Sequence, residues 1–272
     1  LNIGTAKPAQ AILAAVPHHL VDICDPYTKY SAGEFYQDAT NAINTIIARG
    51  KLPIVVGGSM LYMQVLQHGL TALPGKHQKL RRVLENLNIS NLKLHQLVKR
   101  IDPLAAQRIH YNDRYRMHRL LEVYAITGQD MSAQHQAYGS ASDELPNCKF
   151  INIILLPHDR RIIHHNIEQR FMQMVAAGLV EEVSSFYALH DQRIENLLTT
   201  IINYREIWGY LAGCYTWAAM RDQALAATRQ LAKRQYTWLR RYQDSYVLSD
   251  ASNTATTLLA VVTYLRAQGV LI

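Results

Sequence analysis

Residues 52–70, LPIVVGGSMLYMQVLQHGL, restrict the fold more than any other stretch of this chain. Residues 53–56 are apolar and β-branched, the composition of a strand buried on both faces of a parallel sheet. Gly57 and Gly58 break the run. Leu61, Val65 and Leu66 then recur at helical spacing on one face. Strand, tight glycine turn and helix form the repeating unit of an α/β protein, whose ligands sit at the carboxyl ends of the strands. Ser59 stands at that edge. Its hydroxyl can cap the helix or face a ligand, and spacing does not choose between the two.

Two further runs read as strands, FINIILL at 150–156, stopped by Pro157, and HHLVDI at 18–23. A third short strand is expected near Tyr246–Leu248. Between the first runs lies a long helical region. Leu80, Leu84 and Leu87, then Leu94, Leu97, Val98 and Ile101, predict helices over 78–101 with a turn at Asn88–Asn91. Asp102-Pro103 is a helix start, and Asn112-Asp113 interrupts the region and caps the next helix, within 104–127. Helices follow at about 159–177, 179–190, 204–212 and 217–242, with Gly178 as a break. A last amphipathic helix is expected within 250–272.

Charge is concentrated. Residues 1–75 hold four basic and four acidic residues, whereas 76–119 hold eleven Lys and Arg against three acids, a net +8 in a chain of net +7. Such a field attracts polyanions. Other classes are disfavoured. No apolar run of about 18 residues predicts a spanning helix, and no secretory signal is visible. The three cysteines are far apart and odd in number, which argues against a disulfide framework or a thiolate cage and for a reducing cytoplasm. None of the twelve histidines has zinc spacing, so no metal ligands are assigned. The chain opens on Leu1 and reads as if sequence precedes it.

Residues 227–241, ATRQLAKRQYTWLRR, carry five cations and two large aromatics without an acid. On a helix, Arg229, Lys233, Thr237 and Arg240 form one stripe, and Leu231, Arg234 and Trp238 a neighbouring one. Leu225, Ala232, Gln235 and Leu239 can face the core. Guanidinium groups suit phosphates and rings suit unpaired bases, so an RNA-binding face is indicated. Tyr236 and Trp238 equally suit a core.

Over nearly the whole chain the sequence resembles the tRNA dimethylallyltransferases, or tRNA isopentenyltransferases. The motifs are IGTAKP (3–8), VPHHLVDI (16–23), YSAGEF (30–35), VVGGSMLYM (55–63), DPLAAQRIHYNDRYRMHRLLEVYAITG (102–128), RFMQMVAAGLVEEV (170–183), NYREIWGYLAG (203–213) and TRQLAKRQYTWLR (228–240). The resemblance implies an α/β fold with a P-loop NTPase-like parallel sheet core, N-terminally incomplete here, over 1–75 and 146–272. It implies an α-helical insertion over 76–145 that clasps the tRNA anticodon arm. It further implies transfer of a dimethylallyl group from dimethylallyl diphosphate to N6 of the adenosine 3′-adjacent to the anticodon, with Mg²⁺, by a cytoplasmic, nucleotide- and ATP-binding-type monomer. Ser59 falls on the catalytic hydroxyl position. Arg81, Tyr115, Arg116, Met117, His118 and Arg119 fall on tRNA-contacting positions, as do Thr200, Asn203, Tyr204 and Arg205. So do Lys233, Arg234, Gln235, Tyr236, Thr237, Trp238, Leu239 and Arg240. Arg170 and Arg205 are the candidates for the diphosphate.

The chain departs from the family pattern at several points. It lacks the G-x-T-x-x-G-K-[ST] loop that cradles a diphosphate, and the family's general-base Asp would lie before Leu1. Asn203 replaces a glycine, Thr200 an Arg or Gln, Tyr111 a Pro, Asn166 an Arg and Ser59 a Thr. If position 203 needs positive φ, Asn is the least costly substitute. Two alternative readings follow: a catalytically inactive, truncated tRNA-binding remnant, and a small-molecule P-loop kinase relative.

Overall fold

The computed structural model describes residues 1–28, 30–71, 73–138, 145, 148–157, 159–242, 244–249 and 253–270. In chain order the elements are α1 (Gln10–Ala15), α2 (Ala32–Ala48), α3 (Met60–His68), α4 (Gln78–Glu85), α5 (Asn91–Ile101), α6 (Pro103–Arg108), α7 (Arg114–Thr127) and α8 (Met131–Tyr138). Then come β1 (Asn152–Leu155), α9 (Arg160–Ala176), α10 (Leu179–Tyr187), α11 (Gln192–Leu198), α12 (Tyr204–Leu211), α13 (Trp217–Leu239), β2 (Ser245–Leu248) and α14 (Thr254–Ala267). They group into two compact units, one of Leu1–Met63 with Lys149–Ile272, the other of Gln64–Cys148. The second unit begins inside α3 rather than at 76. The expected junction at 146 and the start of the last helix at 250 lie outside the described residues.

The first unit is α/β. β1 and β2 pair in parallel, Asn152 opposite Ser245 through Leu155 opposite Leu248, as FINIILL and the run near Tyr246 predict. The other two expected strands do not form. Leu20 and Asp22 sit at φ 61° and 56°, a left-handed backbone that no strand tolerates. Residues 53–56 are irregular, and Ile54 and Val56 are 77 % and 89 % exposed. A parallel strand needs neighbouring backbone to satisfy its N–H and C=O groups. Among the described residues neither β1 nor β2 supplies it.

The core of this unit is helical. Phe171, Leu179, Val183, Ile194, Tyr204, Ile207 and Met220 bring α9 to α13 together. Gly178, at φ 98°, separates α9 from α10 as expected. α2 has no counterpart among the expected elements. It starts on a capping box, Ser31 Oγ accepting from the Glu34 N–H and Glu34 accepting from the Ser31 N–H. It buries Phe35, Ala39 and Ile43 at i, i+4 and i+8. YSAGEF is thus a helix start.

The helical unit follows the sequence closely. Ser90, Asp102 and Asp113 cap α5, α6 and α7 through side-chain oxygens. Leu84, Leu94, Val98, Met117, Leu120 and Leu121 form its core. Asp102 is buried, yet both carboxylate oxygens are satisfied, by the Ala105 N–H at 2.8 Å and the Ser132 N–H at 2.9 Å. One carboxylate so ties α6 to α8.

Candidate nucleic-acid interface

In the α/β unit the two sequence landmarks meet. The Gln235 side-chain amide on α13 donates to the Gly58 carbonyl at 2.9 Å. A Cβ at Gly58 would stand 2.3 Å from Gln235 Nε2, and one at Gly57 2.9 Å from Met63 Cε. Neither glycine has positive φ, and both approaches are to the ends of flexible side chains, so a side chain at Gly58 would chiefly displace the Gln235 amide from its hydrogen bond. Ser59 follows. Its carbonyl accepts the first bonds of α3, from Tyr62 and Met63. Its exposed hydroxyl has no partner among the described residues. The cap reading therefore fails, and the hydroxyl is free for a ligand.

Along α13, Lys233, Arg234, Thr237 and Arg240 are exposed, and none of the three cations has an ion-pair partner among the described residues. Thr237 bonds back to the Lys233 carbonyl. Trp238 carries the Arg241 guanidinium 4.7 Å from its ring centre, a cation–π contact. Tyr236 is half-buried and donates to the Pro157 carbonyl at 2.8 Å. Its hydroxyl anchors the helix beyond the end of β1. Leu239 is half-buried.

The NYREIWGYLAG segment is turned largely inward. Asn203 has φ 73°, the conformation a glycine would take there. Its N–H donates to Glu206 Oε2 at 2.8 Å, while Arg205 donates from Nε to Glu206 Oε1 at 2.8 Å. The Arg205 side chain is still half-exposed and within reach of an anion. Thr200 donates to the Leu197 carbonyl. Tyr204 corrects an expectation: it is wholly buried beneath Gly4, whose Cβ would stand 2.3 Å from the ring. Burial, with the Glu182 carboxylate nearby, pushes its phenol well above the ordinary range. Glu182 in turn accepts from the backbone N–H groups of Asn2, Ile3 and Gly4, which seats the IGTAKP turn.

Arg170 is exposed on α9 and lines an open groove of about 640 Å³ with Asn2, Lys7, Asp22 and Gln173. Lys7 pairs with Asp22. Neither Ser59 nor Arg205 lines that groove, so the structure does not gather Arg170 with them.

In the helical unit one carboxylate organises the basic residues. Glu122 on α7 is fully buried. Arg81 reaches it from α4 in a fork, Nε to Oε1 and Nη2 to Oε2, both at 2.8 Å. Arg119 Nη1 donates to Oε2 at 2.7 Å, and the His77 N–H to Oε1 at 2.8 Å. Burial alone would raise the carboxyl pKa. The hydrogen bonds from Arg81, His77 and Arg119 outweigh it and hold the group at about 2. Sequence reasoning missed Glu122. The available signal was an isolated acid three residues beyond Arg119 at the end of a strongly basic segment.

Around this cluster Tyr115 is 71 % exposed, and its phenol lies beside Arg81. Arg116 is 66 % exposed and reaches Asp113 at 3.3 Å. His118 is half-buried, and burial, with Arg114 nearby, keeps its pKa below the ordinary value. Met117 is fully buried in the core. It packs the unit and has no surface for RNA, because α7 turns it to the side away from the exposed Tyr115.

No group of three or more His, Cys, Asp or Glu among the described residues is placed to hold a metal ion. No helix among these residues is long and apolar enough to cross a membrane.

Known proteins match along this whole arrangement. A profile for IPP transferases covers residues 1–242. A tRNA dimethylallyltransferase of Coxiella burnetii is 41 % identical over 271 residues, 99 % of this chain and 88 % of that one. One from Halorhodospira halophila is 44 % identical over 247 residues, 90 % and 78 % of the two chains. Among solved structures, the tRNA isopentenylpyrophosphate transferase of Bacillus halodurans matches with TM-score 0.64 and 29 % identity over 97 % of this chain and 82 % of that one. A eukaryotic dimethylallyltransferase acting on tRNA matches with TM-score 0.77 and 25 % identity over 98 % and 69 %. The α/β core with its helical unit and the motif order thus have one origin: the chain belongs to the IPP transferase family, the tRNA dimethylallyltransferases.

Proposed function

We propose that the protein transfers a dimethylallyl group from dimethylallyl diphosphate to N6 of the adenosine next to the anticodon, on its 3′ side, in tRNA. The observation that carries this reading is the Gln235–Gly58 contact, which sets the exposed cations of α13 against a turn bearing a free hydroxyl. An adenine N6 amine is a weak nucleophile, because its lone pair is delocalised into the ring. The base must leave the stack, at a cost of a few kcal/mol, and lie in line with the allylic carbon. The N6 lone pair then forms the N–C bond as the C–O bond breaks. The electron pair leaves with diphosphate, and N6 releases a proton.

Ser59 would hold the reacting amine by hydrogen bonding. Arg205, half-exposed, would meet charge growing on the leaving oxygens, and Arg170 would hold the diphosphate from its own groove. An Mg²⁺ ion would enter with the diphosphate rather than on carboxylates of the described residues. The exposed cations of α13 and of the helical unit would take phosphates of the tRNA. The protein would act as a cytoplasmic monomer. The net +8 of residues 76–119 disfavours a small-molecule kinase, and no observation favours an inactive remnant.

Mass spectrometry of nucleosides from tRNA incubated with the purified protein and dimethylallyl diphosphate tests the reading. Isopentenyl-adenosine is expected. Ser59→Ala should slow its formation while tRNA affinity stays within about twofold. Absence of product with the unaltered protein would refute the proposal.

A further inference from the structure

We propose that Glu122 is a positioning residue that fixes Arg81 and Arg119 as one preset fork for a tRNA phosphate. The inference rests on the reading that the helical unit binds tRNA. The stoichiometry motivates it. One carboxylate holds two guanidinium groups, so the cluster keeps a net positive charge where a purely structural pair would be balanced. Both arginine side chains are 23 % exposed, so their outer edges face solvent while the carboxylate does not.

The donor inventory agrees. Arg81 engages Nε and one Nη2 hydrogen on Glu122, and the Tyr115 phenol is a further partner, which leaves at least one of the three remaining Nη hydrogens for a ligand. Arg119 engages Nη1 on Glu122 and Nη2 on the Pro74 carbonyl at 2.7 Å, which leaves Nε and the second hydrogens of both Nη atoms. A phosphate takes such planar donors in pairs. Because Glu122 has fixed both planes beforehand, little rotamer freedom remains to be lost on binding. Arg119, Tyr115 and Glu122 share one stripe of α7, so the exposed ring of Tyr115 stands beside the fork, where a base could stack.

The test turns on a sign. Glu122→Gln keeps an acceptor oxygen and the side-chain shape but removes a negative charge. If Glu122 only tempers the field, the variant binds tRNA more tightly, with a salt slope steeper by about one. If it positions the fork, the variant binds about tenfold more weakly despite the added positive charge, and KM for tRNA rises while kcat holds. Arg119→Lys, which keeps the charge and loses the planar fork, should weaken binding by a similar factor. The double variant should be no worse than either single one.

Tighter or unchanged binding by folded Glu122→Gln would overturn the inference. So would additive losses in the double variant. Should Glu122→Gln fail to fold, Arg119→Lys decides alone: unchanged affinity defeats the proposal and a roughly tenfold loss supports it. If the unaltered protein shows no salt-dependent tRNA binding, the functional reading itself falls.

Discussion

Arg81 and Arg119 rest their guanidinium groups on one buried carboxylate, whereas Lys233, Arg234 and Arg240 on α13 stand in solvent without an ion-pair partner among the described residues. The first surface is ordered before any ligand arrives. The second must give up about 2 kcal/mol of rotamer entropy per side chain that it fixes. A preset fork defines where a phosphate sits. A row of free cations supplies field, which draws a polyanion along the helix without fixing its register. The same residue types therefore do different work, and the difference lies in what stands behind them.

The largest way to break this comparison is to remove the support. Glu122→Ala should destabilise the helical unit by about 3–5 kcal/mol, since it leaves two guanidinium groups against an apolar core with no counter-charge. Urea unfolding of the whole protein would read it. A loss below about 1 kcal/mol would mean that the arginines turn out to water and are not held at all. Acid gives the next largest effect. Glu122 sits at about 2 in the folded protein against an ordinary value of 4.5. Above 4.5 it is ionised in both states and its contribution is complete. As pH falls from 4.5 towards 2 the unfolded chain takes the proton first, and about 3 kcal/mol is progressively lost. In Glu122→Gln that part of the stability–pH curve should flatten.

How much of this was legible in the sequence depended on where the deciding partner lay. Helices α5 to α7 were readable because their caps, Ser90, Asp102 and Asp113, lie within three residues of the N–H groups they satisfy. The same local logic was available for α2 in Ser31 and Glu34. The run at 53–56 misled because an apolar pattern reports what a segment would bury, not whether a neighbouring strand is there to pair with it. At 18–23 the apolar pattern hid a backbone turned left-handed at Leu20 and Asp22. Tyr204 and Met117 fall in runs that the resemblance assigns to tRNA contact, but a motif assigns a run and not the direction of each side chain. Glu122 was invisible for a related reason. Its partners come from 45 and 41 residues earlier in the chain as well as from its own helix, and spacing alone does not separate a buried acid from a solvated one.

The smallest effect sharpens the comparison most. Arg240→Ala removes one free cation from α13. Nothing in the fold leans on it, so unfolding free energy should stay within about 0.5 kcal/mol. Its loss should instead lower the slope of log affinity against log salt by about one, which between 50 and 200 mM salt is about fourfold in the salt response. Arg116→Ala should behave alike in the helical unit, because its side chain is 66 % exposed and its contact with Asp113 lies at the surface. Arg119→Ala should not. It removes a phosphate donor and also one of the three groups that keep Glu122 ionised, so affinity and stability should fall together. Titrating tRNA at four salt concentrations, alongside urea melts of the same three variants, separates the classes. If Arg240→Ala costs as much stability as Arg119→Ala, the cations of α13 are structural too, and a field-supplying helix is the wrong description of it.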